Sequence, residues 1–211
     1  MKKISISDLK LDLAIDSPEG IAPYCKKEYS YWRRRIMLSM IIGYAFFYII
    51  RQAYPAIIHP LEVEFGFSKA KIGAILGIGG ILYGLGKSIA GMIGDRLSAR
   101  YLMTFGLFMS GLSTFYFAQC SDLKMFTIVY TINMCFQSLG WPSCARLLTH
   151  WFSAKELATK WALWNSSQQI GGAAIMFLSG IILVRYDWRY VLYISAFLSM
   201  GMSIVLFFMM R

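Results

Sequence analysis

The sequence predicts an all-α membrane protein, and three observations carry that prediction. Of its 211 residues, 57% are hydrophobic and 16% aromatic, while 15% are charged, well short of the quarter usual in a soluble domain. The apolar residues gather into six runs, each long enough to cross the bilayer hydrocarbon as a helix of about twenty residues. The charges collect between the runs, where water and lipid headgroups solvate them.

Taken in order, residues 1–35 come first. They are polar and carry Lys2, Lys3, Lys10, Lys26, Lys27, Arg33, Arg34 and Arg35. No short apolar core near the start marks a cleavable signal, so they read as a basic cytoplasmic tail ahead of a six-helix bundle over 36–211. The first run, 36–58, anchors the chain. The second, 70–93, is dense in glycine, and Gly73/Gly77 and Gly80/Gly84 form pairs that let helix backbones approach closely. The third covers 100–119. The fourth, 124–148, contains Gly140 and Pro142; a proline there frees a backbone carbonyl and bends the helix. The fifth, 157–184, is long and begins as an interfacial or tilted stretch. The sixth is 190–210. Short polar segments connect them, among them HPLEVEFGFSKAK and RYDWRY.

Net charge is +10, which on a soluble protein would suggest nucleic acid. Here it reads as topology and contact with the lipid bilayer, and no nucleic-acid partner is expected. With the N-terminus inside, the tail, Arg96, Arg100, Arg146, Lys155, Lys160 and Arg211 share the cytoplasmic side. Lys69, Lys71, Lys124, Arg185 and Arg189 face outward. Both termini are therefore expected in the cytoplasm. The cysteines, Cys25, Cys120, Cys135 and Cys144, match no metal or disulfide framework; Cys135 and Cys144 read as packing residues. No nucleophile–base pair, metal cluster or phosphate loop is visible, so neither an enzyme nor a cofactor site is expected.

Two basic residues, Arg51 and Lys87, fall deep inside runs, six or more residues from either end. An intramembrane charge costs several kcal/mol, roughly 2.5–3.5 on insertion scales, and marks function by default. Tyr48 and Tyr44, three and seven residues back, share the helical face of Arg51. A guanidinium offers a fixed fork of donors suited to carboxylate or phosphate. Tyr44, Tyr48 and Arg51 thus make an oxyanion cradle, against the alternative that Arg51 reaches to the interface. Lys87 is a second cation, with the same alternative. No acidic residue lies inside the runs, which favours an anionic ligand over a carboxylate proton relay. In the fifth run, WNSSQQIGGA sets Asn165 and Gln168 on one face, as ligand contacts or as interhelical hydrogen-bonding glue. Trp141 lines a cavity or packs. At the end of the second run, Gly91, Asp95, Arg96 and Arg100 read as a conformational latch around a tight turn.

These motifs carry a resemblance. GMIGDRLSAR resembles the loop motif of the major facilitator superfamily, with Ser98 and Ala99 where glycine and arginine are usual. Tyr44, Tyr48 and Arg51, with GKSIAGMIGDR, FQSLGWPSCARLLTHWFSAKE and WNSSQQIGG in order, resemble the organophosphate:phosphate antiporters, which include glycerol-3-phosphate and hexose-6-phosphate transporters and a hexose-phosphate sensor. The resemblance spans residues 36–211 and implies one half of a twelve-helix fold that binds substrate between two six-helix halves. It places phosphoryl binding on Arg51 and a second cation at Lys87. Where the glycerol-phosphate carriers have a histidine, Gln168 stands; it hydrogen-bonds but does not titrate.

The expected function is exchange of an organophosphate, a glycerol or sugar phosphate, for inorganic phosphate, by the N-terminal half of a transporter working with a second six-helix half or a second copy. A bacterial inner membrane is implied by the resemblance. The alternatives are a membrane sensor of sugar phosphate and a non-functional truncated transporter.

Overall fold

The computed structural model describes residues 23–94 and 96–210; residues 1–22 of the expected tail, together with Asp95 and Arg211, lie outside the described residues. The described residues contain helices and no strand. In order they are α1 (Pro23–Ala56), α2 (Ile58–Phe65), α3 (Lys69–Gly94), α4 (Ala99–Phe117), α5 (Leu123–Gln137), α6 (Gly140–Trp151), α7 (Ala154–Arg185) and α8 (Arg189–Met209). The chain divides into two compact units, Met1–Arg34 and Arg35–Arg211. In the first, the Arg33 guanidinium lies 5.4 Å over the Tyr29 ring.

Two of the six runs differ from expectation. The connection after the first run contains a two-turn helix, α2, which ends at Gly66 in the left-handed region, φ 66°. The fourth run is two helices. Pro142 has no amide, and its ring crowds the carbonyl four residues back, at Ser138. The break falls there: Leu139 N bonds Phe136 O at 3.2 Å, a tighter turn, before α6 begins at Gly140. By length and apolarity alone, four segments among the described residues qualify as spans: Glu28–Phe65, Lys69–Gly94, Ala154–Arg185 and Arg189–Met209. α5 and α6 are each too short once separated, and α4 is diluted by Thr104, Ser110, Ser113 and Thr114.

Those hydroxyls explain how polar residues sit in an apolar bundle. Without water, partners come from the protein itself; Thr104, Ser113 and Thr114 have one, and the Ser110 hydroxyl has none among the described residues. Thr114 and Ser113 bond the carbonyls of Ser110 and Met109, at 2.8 and 2.6 Å, and Ser195 on α8 bonds Val191 O at 2.7 Å. An extensive helix contact, α4 on α8, uses these small residues to bring two backbones together. Asn133 of α5 ties in by donating to Ser110 O and Thr114 Oγ1, at 2.8 and 3.0 Å. Tyr54 of α1 meets Thr114 Oγ1 at 3.1 Å.

The glycines of α3 pack differently from expectation. Nothing lies within 4 Å of a Cβ placed at Gly73, Gly77, Gly80 or Gly84, whereas one at Gly79 meets Tyr130 and one at Gly86 meets Ser138. Gly79 and Gly86, seven residues apart, form the face against α5 and the α5–α6 break. The two expected pairs are open. The close approach made through a fifth-run glycine is at Gly171, where an added Cβ would strike the backbone of Ala45. α1 and α7 therefore touch main chain to main chain. Cys144 is fully buried, but Cys135, expected to pack, is exposed.

Both ends of α8 are fastened. The Arg189 fork grips Glu64 of α2, Nη2 to Oε1 at 2.7 Å and Nη1 to Oε2 at 3.3 Å, and Trp188 Nε1 donates to the same carboxylate. At the other end Arg35 donates to the carbonyls of Phe208 and Met209, at 2.7 and 2.8 Å, satisfying acceptors that a helix C-terminus leaves open.

Candidate functional site

Arg51 and Lys87, on α1 and α3, come together around one ring. The Arg51 Cζ lies 3.9 Å over the ring of Tyr83, and the Lys87 Nζ lies 4.4 Å over the same ring. Tyr83 and Lys87 are four apart on α3, hence on one face. Cation–π attraction stabilises each charge by ~0.5–2 kcal/mol, more as water is excluded. Arg51 also lies 5.0 Å over Tyr48, and Lys87 5.4 Å over Trp141. Among the described residues, neither cation has an ion pair.

The contacts close into a circuit. From Trp141 it runs to Trp161 at 6.0 Å, to Trp164 at 5.6 Å, to Tyr44 at 4.6 Å and to Tyr48 at 5.5 Å, and so back to Arg51. It crosses α1, α3, α6 and α7. Tyr44 is 2% exposed and Trp164 fully buried, so these two form the rigid wall. Tyr48, Arg51, Tyr83 and Lys87 are only partly buried.

The polar atoms are under-satisfied. Arg51 Nη2 donates to Gln137 Oε1 at 3.3 Å, a neutral acceptor at the end of α5 just before the Pro142-induced break. Arg51 Nε, Gln137 Nε2 and the Tyr83 hydroxyl are buried without a hydrogen bond of good geometry. Three orphaned donors beside two cations are a costly arrangement for an apolar bundle, and each is a group that an oxyanion would accept from.

The expected residues thus divide. Arg51, Tyr44, Tyr48 and Lys87 converge. Asn165 and Gln168 bond one another, Gln168 Nε2 to Asn165 Oδ1 at 2.8 Å, with Gln168 one turn beyond Trp164 and two beyond Trp161 on α7. Tyr83, Gln137, Trp161 and Trp164 were not singled out from the sequence. Tyr83 had a readable signal, its four-residue spacing from Lys87. Gln137 had none, because only the tertiary fold brings α5 to α1.

Of the expected latch residues, Asp95 lies outside the described residues. Gly91 faces open space and Arg96 is exposed. Arg100 crosses to α8, its Cζ 4.1 Å over Phe207. The turn itself is held from α6, where Arg146 Nη1 donates to Leu97 O at 3.0 Å.

Comparison with known proteins accords with this architecture. Residues 40–211 match the Major Facilitator Superfamily. The chain is 40% identical to a "Probable hexose phosphate transport protein" of Chlamydia pneumoniae, over 86% of this chain and 40% of that protein. It is 35% identical to the "Membrane sensor protein UhpC" of Escherichia coli (87% and 42%) and 33% identical to a "Glycerol-3-phosphate transporter" of Bacillus subtilis (87% and 42%). The chain spans about two fifths of the length of these relatives, on the N-terminal side. In fold it is similar to a crystal structure of a bacterial homologue of the human lysosomal transporter Spinster, inward-facing and unoccupied, with TM-score 0.74 at 15% identity over 85% of this chain and 43% of that one. An all-helical apolar bundle, a matching fold and a sequence match across most of its length lead to one conclusion: the chain belongs to the Major Facilitator Superfamily.

Proposed function

We propose that this chain is the N-terminal, six-span half of a carrier that exchanges a glycerol or sugar phosphate for inorganic phosphate across a bacterial inner membrane, with both termini cytoplasmic and a basic tail ahead of the bundle. The observation that carries the reading is the pair of cations on the Tyr83 ring, held by neutral partners and ringed by orphaned donors. Arg51 supplies the fork for the phosphoryl oxygens and Lys87 the second charge. Tyr48 and Tyr83 add hydroxyls, while Tyr44 braces them. Gln137 holds the guanidinium without neutralising it. Asn165 and Gln168 face the rest of the substrate. Arg100, with Gly91, Asp95 and Arg96 around the same turn, serves as the latch. A second six-helix half, or a second copy, closes the site.

Labelled-phosphate exchange into phosphate-loaded liposomes, with phosphate-ester binding measured in parallel, tests the proposal in this chain and in Arg51→Ala. Exchange that needs Arg51 supports a carrier assembled from this bundle. Binding that needs Arg51, without flux, supports a half-site awaiting its partner. Folded protein with neither overturns the reading. A second reading, a phosphate-ester sensor, is favoured by the sensor among the relatives; it predicts binding without flux even when the second half is supplied.

A further inference from the structure

A separate groove lies on the outside of the bundle, between the end of α3 and helices α4 and α8. Its volume is about 640 Å³, and Leu97, Tyr101, Phe105, Ile204, Phe207 and Phe208 line it. It continues to Phe108, seven residues along α4 from Tyr101, so it runs ~10 Å along the helix. Tyr101, Phe105, Ile204 and Phe208 are each more than half exposed, and outside the bundle of a membrane protein the surrounding medium is hydrocarbon.

One end of this groove is cationic. Three guanidiniums contact its lining. Arg146 donates to Leu97 O at 3.0 Å, Arg35 donates to Phe208 O at 2.7 Å, and Arg100 lies 4.1 Å over Phe207. The Nε of Arg100 is buried and has no hydrogen-bond partner among the described residues. An apolar trough that begins at a cluster of guanidiniums matches a molecule with an anionic head and a hydrocarbon tail. It does not match a free sugar phosphate, whose hydroxyls find no partner along aromatic walls. We propose that the groove binds one anionic phospholipid, its headgroup phosphate at Arg100 and its acyl chain along Tyr101, Phe105 and Phe108. The site is distinct from the Arg51–Lys87 site and shares none of its residues.

Native mass spectrometry of the purified chain tests this, with phosphatidylglycerol and phosphatidylcholine of identical acyl chains as probes. One phosphatidylglycerol is retained over phosphatidylcholine by about five-fold, the worth of one interfacial cation. Arg100→Gln removes that preference. Ile204→Trp, which fills the trough from an exposed position, removes retention, with helix content by circular dichroism unchanged. Glycerol phosphate in excess, having the head but no tail, does not displace the lipid. Equal retention of both lipids, undiminished retention in both variants, displacement by glycerol phosphate, or a second copy in place of the lipid adduct would each overturn the proposal.

Discussion

Replacing Gly171 with alanine adds one methyl group to a helix of 32 residues, and elsewhere on that helix the change would be welcome. Alanine is better than glycine in a helix by about 1 kcal/mol. At Gly171, however, the new Cβ meets the carbonyl oxygen, carbonyl carbon and Cα of Ala45. None of these is the movable end of a side chain, so α1 and α7 must part or bend. Overpacking of a filled interior costs ~1–3 kcal/mol, and a backbone obstacle belongs at the upper end. Offset by the helix gain, the net loss is ~2 kcal/mol, or ~4–8 °C in a chain of this size. Gly80→Ala is the internal control: no atom lies within 4 Å of its Cβ, so the helix gain is kept and the melting point holds or rises. Thermal unfolding in detergent measures both, followed by a maleimide dye that reports exposure of the buried Cys144 in a background where Cys25, Cys120 and the exposed Cys135 are replaced by serine. A Gly171→Ala protein that melts at or above the wild type, or a Gly80→Ala protein that falls as far, refutes the main-chain contact between α1 and α7.

Three other outcomes are expected. Tyr83→Leu strips the shared ring from Arg51 and Lys87 and lowers stability by ~1–2 kcal/mol; adding Lys87→Met relieves the remaining repulsion, and a double variant no more stable than the single one argues against a shared ring. Gln168→His breaks the bond to Asn165 and places a group that titrates between pH 5 and 8 on the same face, so phosphate-ester binding acquires a pH dependence there; an unchanged profile assigns the position to packing. Glu64→Gln weakens the grip on Arg189 at a partly exposed site, where ion pairs contribute less than about 1 kcal/mol; the deficit shrinks in high salt, and one that persists shows that the Trp188 bond dominates.

What the sequence made legible follows from the range of the interactions involved. The two intramembrane cations and the tyrosines one and two turns behind Arg51 were readable because spacing along one helix is local. The break at Ser138 was readable because Pro142 acts four residues back. Tyr83 was within reach of the same argument applied to Lys87. Gln137, Trp161 and Trp164 were not, since nothing in α5 or α7 announces which face meets α1. The glycines of α3 show the opposite error. Gly73/Gly77 and Gly80/Gly84 have a familiar spacing, but spacing states only that a helix is able to pack closely, not where. Gly79 and Gly86, which carry no motif, pack because Tyr130 and Ser138 stand opposite.

Holding two cations with ring faces and an amide, rather than with carboxylates, has an electrical consequence. The empty site carries two positive charges, and moving one charge through the membrane field is worth ~2.3 kcal/mol per 100 mV. On the proposed reading, a phosphate dianion brings the site to neutrality. The loaded form then crosses the field without electrical work, while the empty form feels the full potential. A voltage across the membrane would therefore act on the unloaded return step and hardly at all on the loaded one, which is the asymmetry that ties the departure of one anion to the arrival of another.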